Sequence, residues 1–164
     1  MDKMLQKLVD QGFMKEEFGN LIESAIDNKS TIIASGHKGW GILPLLASVG
    51  ACVKSKHSLK QVKTAEDLDA EADYFLIGDL KSVDFEELLE KAFSKPGASI
   101  ITIKDPDHPY SINKVLKKVF KNTGDSSKTY QVLECAKEND EKKLAKISNI
   151  SLDEAGKIVK EDIL

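Results

Sequence analysis

Apolar residues recur along this chain with two different periods, and the alternation between them predicts the order of its elements. Met4, Leu5, Leu8 and Val9 recur at helical spacing, which predicts a helix over 2–12 that Gly12 breaks. Phe18, Leu21, Ile22, Ala25 and Ile26 share one face of a second helix over 15–28. The pattern then changes to β-branched residues at 30–35 and to unbroken apolar runs at 73–77 and 99–103. Such runs are the pattern of strands buried on both faces. Between them, helices are predicted at 42–49, with Pro44 in the first turn and Gly50 at the end, at 82–94 with Ser82 as N-cap, and at 111–121. Residues 51–56 read as a short strand, and the polar stretch 58–72 as opening with a short helix. After the break at 122–127, residues 129–136 fit a strand or a helix. A charged helix is expected to follow, then a last helix begun by Ser151, with Glu154 in capping-box spacing.

Strands alternating with helices predict an α/β fold: a small parallel sheet of three or four strands with crossover helices. The expected division is a P-loop-like α/β domain over 1–122, including the N-terminal helices, and a mostly helical C-terminal extension over 123–164.

Composition narrows the function classes. The 164 residues are 41% apolar and 31% charged, enough for one core under a solvated surface. A net charge of −3 with both signs interspersed gives no basic footprint, so nucleic acid is not an expected partner. The lysine-rich stretches 54–63 and 114–121 read as solvated faces. No apolar run reaches the ~20 residues that span a bilayer, and the first residues are charged and periodic rather than leader-like. The expected location is the cytoplasm, without membrane insertion. Cys52 and Cys135 form no C-x-x-C pair and read as buried or half-buried thiols.

Candidate chemistry centres on residues 36–41, Gly36-His37-Lys38-Gly39-Trp40-Gly41, between the strand at 30–35 and the helix at 42–49. Glycines there let backbone N–H groups curl around phosphate oxygens at a helix N-terminus. The P-loop pattern G-x-x-x-x-G-K-[ST] aligns its glycines with Gly36 and Gly41 but meets Ile42 at the lysine and Leu43 at the hydroxyl. Neither residue can neutralise β/γ-phosphates or hold magnesium. Asp79 stands at the end of a buried strand, where α/β sites form. His37 and His108, the latter beside Asp105 and Asp107, are separated in sequence but free to approach in the fold.

Several segments in series resemble the traffic ATPases of type II and type IV secretion and pilus assembly. Residues 6–13, 16–28 and 31–36 resemble that family's lead-in to its loop, and Gly36, Gly39 and Gly41 match its three glycines. Residues 72–81 are similar to its Walker B stretch, 97–104 to the strand carrying its histidine box, and 111–116 to the helix that follows. The departures are systematic. Ile42 and Leu43 replace lysine and hydroxyl, Asp79 replaces glutamate, Lys81 replaces arginine and Lys104 replaces the box histidine. The compressed segment 50–72 has no match for the family's acidic box.

The resemblance, which covers about residues 5–120, implies a reduced RecA-like core in a degenerate member, with no catalytic residues and no metal ligands assigned. It implies a non-hydrolysing pseudo-ATPase that binds or regulates a protein, through a partner or by homo-oligomerisation, beside a secretion or pilus machine. The alternative left open is a divergent nucleotide-binding protein or weak ATPase, holding ATP, ADP or another phosphate-bearing anion. Its binding residues would be Gly36, His37, Lys38, Gly39, Trp40, Gly41 and Asp79.

Overall fold

The two N-terminal helical patterns fold as α1 (Lys3–Asp10) and α2 (Glu16–Asp27) in a computed structural model that describes residues 1–37, 39–81 and 83–163. Asp2 caps α1 by accepting from the Met4 and Leu5 N–H groups, and Glu16 and Glu17 lie in the first turn of α2, where the helix dipole favours acids. The chain continues through β1 (Thr31–Ser35), α3 (Ile42–Lys56), β2 (Leu59–Gln61) and a single 3-10 turn at Ala65–Asp69. Then follow β3 (Tyr74–Ile77), α4 (Phe85–Phe93), β4 (Ser99–Lys104) and α5 (Ile112–Thr123). Three strands complete it: β5 (Tyr130–Glu138), β6 (Glu141–Leu152) and β7 (Ile158–Ile163).

All seven strands form one sheet in the order β2-β3-β4-β1-β5-β6-β7. The first five are parallel, whereas β6 and β7 add as an antiparallel meander. The sheet grows from β1 in both directions. The crossover through α3 runs one way to β2, and those through α4 and α5 run back to β4 and β5. Right-handed crossovers therefore put α3 on the opposite face from α4 and α5. The contacts agree: α1, α2 and α3 pack on one another, and α4 packs on α5. Ile32, Ile33, Phe75, Ile77, Ile100 and Ile101 are buried between the two layers, as their unbroken apolar runs predict.

The predicted α/β class with crossover helices holds, and three local expectations are corrected. Gly50 does not end α3, and residues 51–56 are helix rather than strand. A mid-helix glycine costs about 1 kcal/mol relative to alanine. Val49, Cys52 and Val53, each at most 1% exposed, continue the buried stripe past it and recover more than that. The polar stretch 58–72 opens with β2, an edge strand too short to show alternation, and not with a helix. Ser82, expected to cap α4, lies outside the described residues; the cap is Asp84, whose carboxylate accepts from the Glu87 N–H.

The largest correction is the C-terminal extension. Residues 123–164, expected to be mostly helical, hold β5, β6 and β7, so the sheet has seven strands rather than three or four. Leu144 and Ile147 are three residues apart, which mimics helical spacing. A register shift produces this: Glu134 pairs with Lys146 but Cys135 with Leu144, leaving Ala145 as an extra residue. The bulge reverses the alternation and returns both apolar side chains to one face. Asn139 and Asp140, with φ of 50° and 63°, make the two-residue β5–β6 turn, a conformation that Asn and Asp tolerate. Ser151 and Glu154 are no helix cap. They flank Asp153, whose carboxylate accepts from the Ala155 and Lys157 N–H groups in the β6–β7 turn.

Cys52 on α3 and Cys135 on β5 are both buried free thiols, as the sequence predicts, and burial pushes each up to about 12. Thiolate is the reactive form. Native protein should therefore react with a thiol reagent such as DTNB at least about a hundredfold more slowly than urea-unfolded protein. Fast stoichiometric labelling of the native chain would contradict this packing.

Candidate functional site

The parallel strands deliver their C-terminal ends to one edge, where Gly36 follows β1, Gly78 and Asp79 follow β3, and Asp105 follows β4. In open α/β sheets this edge is where ligand crevices form. A cavity of about 250 Å³ opens there, lined by Gly39, Gly41, the first turn of α3, Asp79, Asp105 and Lys142.

The loop glycines have backbone shapes that side chains resist. Gly36 has φ +148°, donates its N–H to the Lys104 carbonyl at 3.1 Å, and so ties the loop to β4. A Cβ at Gly36 would stand 2.9 Å from the Cys135 carbonyl oxygen. Gly41 has φ +96° and is the N-cap of α3, and a Cβ there would meet the Phe13 ring at 2.5 Å. The N-terminus of α3 carries no side-chain cap.

The residues after the loop face in different directions. Ile42 opens α3 at 3% exposure, packed into the hydrophobic core, whereas Leu43 is 57% exposed. Pro44 follows in the first turn, where its missing N–H leaves no helical bond unmade. Within the loop, Trp40 is half-buried against the core, and its ring lies edge-on to His37 at 4.4 Å between centroids. The Trp40 N–H donates to the His37 carbonyl at 3.2 Å.

Opposite the loop lies a cluster centred on His108. The His108 side chain is 4% exposed and that of Asp105 is 5% exposed. His108 Nδ1 is 2.8 Å from Asp105 Oδ1; Nε2 is 3.0 Å from the Leu80 carbonyl and 3.2 Å from Asp79 Oδ1. Asp105 Oδ1 also accepts from the Asp107 and His108 N–H groups, fixing the 105–108 turn. The Phe85 ring closes the other side of His108 at 4.5 Å. Asp79 Oδ1 is buried and makes no aligned hydrogen bond among the described residues.

Of the residues singled out in the sequence, Gly39, Gly41 and Asp79 line the cavity, and Gly36 and His37 line a neighbouring open depression with Lys104 and Tyr110. Trp40 lines neither. Lys38 lies outside the described residues. The two histidines are engaged separately, His37 by Trp40 and His108 by the two aspartates, and among the described residues no group of three or more His, Cys, Asp or Glu side chains is arranged to hold a metal ion. Lys104 Nζ sits 5.9 Å from the centre of the Tyr110 ring. Asp105 was legible in the sequence only as a neighbour of His108. Lys142 was not legible, because it rides on the hairpin read as helix.

The arrangement places two carboxylates and one ammonium group in front of a helix N-terminus. No cation stands at the residue after Gly41. A phosphate entering the cavity would lie beside Asp79 and Asp105, an unfavourable pairing at short range.

No protein-family model matches the sequence, and no curated protein matches it. Solved structures do match. The VirB11 ATPase from the Brucella suis type IV secretion system, solved in complex with sulphate, aligns with a TM-score of 0.57 at 11% identity, over 87% of this chain and 54% of that one. The Legionella pneumophila ATPase DotB aligns with a TM-score of 0.48 at 14% identity, over 83% of this chain and 49% of that one. The chain thus spans about half the length of each. The VirB11 alignment shows a shared fold: the chain has the core architecture of the secretion ATPases that its sequence resembles.

Proposed function

We propose that this chain is a non-hydrolysing pseudo-ATPase of secretion-ATPase fold, which binds or regulates a protein partner or a second copy. The observation that carries the reading is Ile42: the side chain after the last loop glycine is buried in the core, where a phosphate-binding loop needs a cation. Asp79 and Asp105 reinforce it, because both line the cavity beside the loop. Gly36 and Gly41 then serve the packing of the loop against Cys135 and Phe13, so the loop retains a shape without its chemistry. Among the described residues no helix is long and apolar enough to cross a membrane. The proposed setting is the cytoplasmic side of a secretion or pilus machine.

One observation favours the second reading, a nucleotide or anion sensor. Lys142 reaches the cavity from the β5–β6 hairpin, and the uncapped N-terminus of α3 opens there too. VirB11 was solved with sulphate, an anion of the kind such a site would hold.

Phosphate release from ATP with magnesium tests the first reading. Release at the level of a protein-free control is expected. Turnover that Asp79→Asn removes would overturn the pseudo-ATPase reading and restore Asp79 as a working residue.

A further inference from the structure

The helix α3 is apolar on more than its core face. From Ile42 to Val53 it carries no charged side chain, and the positions it turns to solvent are Leu43, Pro44, Ala47 and Ala51. The other surface helices, α2, α4 and α5, place charges at such positions. A helix that is apolar on both sides is ordinarily covered on both.

Beside α3 a groove of about 350 Å³ runs over the edge of the sheet. Leu43, Ala47, Gly50 and Lys54 form its helical wall; their spacing puts them on one stripe of α3, about 16 Å long. Leu76 on β3 and Leu59 on the edge strand β2 form its floor. Both are half-buried, whereas Ile101, which pairs with Leu76 from β4, is fully buried. The helical layer on this face of the sheet therefore stops at α3 and leaves β2 and β3 uncovered.

Two residues say what kind of cover fits. Gly50 lies mid-helix without a positive φ, and a Cβ built there would meet nothing within 4 Å. Nothing in its own chain calls for glycine, which weakens a helix, but a bare backbone lets a second helix come close. Lys54 is the only charged side chain lining the groove, and it makes no ion pair among the described residues.

We propose that the groove is the docking site for an amphipathic helix of another protein, with aliphatic side chains set between α3 and Leu59 and an acidic residue in its first turn against Lys54. A helix of about three turns matches the length of the wall. With its N-terminus at Lys54 it runs antiparallel to α3, which sets the two helix dipoles in opposition. A second copy does not supply this helix. Among the described residues the other exposed large apolar side chains are Met1, Met4 and Val159, and α1, which carries Met4, has no acid in its first turn. The proposal names the surface for the protein-binding role given above and rests on that reading.

The test is an NMR titration of the full chain with a synthetic helical peptide of about four turns, with leucines along one face and glutamates in its first turn. Two control peptides carry lysines for the glutamates or serines for the leucines. Saturable shifts at the Leu43, Ala47, Gly50 and Leu59 amides are expected, with Kd below about 1 mM. Each control should bind at least about tenfold more weakly. Gly50→Gln puts a good helix former into open space, so its urea midpoint should be at or above that of wild type while peptide affinity falls at least about tenfold. A purely structural role for Gly50 would not separate those two readouts. Lys54→Glu, at an exposed position, should weaken the glutamate peptide and strengthen the lysine peptide. The proposal is overturned if the leucine–glutamate peptide gives no saturable shifts, if either control binds as well, or if Gly50→Gln binds as tightly as wild type. It is overturned too if the same amides shift on raising the protein concentration alone, which would seat a second copy there, or on adding phosphatidylglycerol vesicles, which would give the surface to a lipid. Failure of the peptide with phosphate release from ATP still at the control level removes this surface and leaves the pseudo-ATPase reading standing.

Discussion

Gly41→Ala should destabilise the chain by about 2–4 kcal/mol, far more than an exposed loop substitution. Two causes add. A Cβ must take φ +96°, which L side chains rarely adopt, and it must stand 2.5 Å from Phe13 Cε1. Phe13 is 9% exposed and packed in the core under the loop, so its ring cannot swing into solvent without loss. Urea unfolding of wild type and variant measures the effect. Pairing the change with Phe13→Leu relieves the overlap but not the backbone strain, so the double variant should lose less than the sum of the two single changes. A loss below about 0.5 kcal/mol for Gly41→Ala alone would mean that the loop is not held as described. The result bears on function because it shows what the glycine is for. It fits the loop to Phe13 whether or not a ligand is bound.

His108→Ala should cost about 3–5 kcal/mol near neutral pH. The side chain fills the space under Phe85 and supplies the Nδ1 contact to Asp105 and the Nε2 contacts to Leu80 and Asp79. Its removal leaves the Asp105 carboxylate buried with backbone donors only and takes away a partner of the Leu80 carbonyl. Adding Asp105→Asn to this variant should recover part of the loss, since the amide keeps an acceptor for the 105–108 turn without a buried carboxylate. Denaturant unfolding of the two single variants and the double variant supplies the cycle. A cost below about 1 kcal/mol for His108→Ala would show that the cluster is incidental. These aspartates also face the cavity, so the packing that holds His108 is the same packing that makes the cavity acidic.

The parallel half of the sheet was legible because burial on both faces writes itself as unbroken apolar runs, as in Ile32-Ile33 and Ile100-Ile101. The helices over them were legible from their amphipathic spacing, although the cap of α5, Ser111, was not. The glycine loop was legible as a strand-to-helix turn. Its fit to Phe13 and Cys135 was not, because those contacts join segments far apart in sequence. The C-terminal meander was misread where one extra residue, Ala145, put Leu144 and Ile147 at helical spacing. The Asn139-Asp140 pair was the signal that could have found the hairpin. Misreading it hid Lys142 at the loop cavity. Asp105 and His108 were visible as residues, but their convergence on Asp79 depends on β3 and β4 being neighbours, which a single sequence does not state.

On the proposed reading, the loop keeps the shape of a phosphate cradle without the charge to hold a phosphate. Isothermal titration calorimetry of the purified chain with ATP and magnesium tests it most directly. No saturable heat is expected up to about 1 mM nucleotide. Micromolar, magnesium-dependent binding that Lys38→Ala weakens would contradict it.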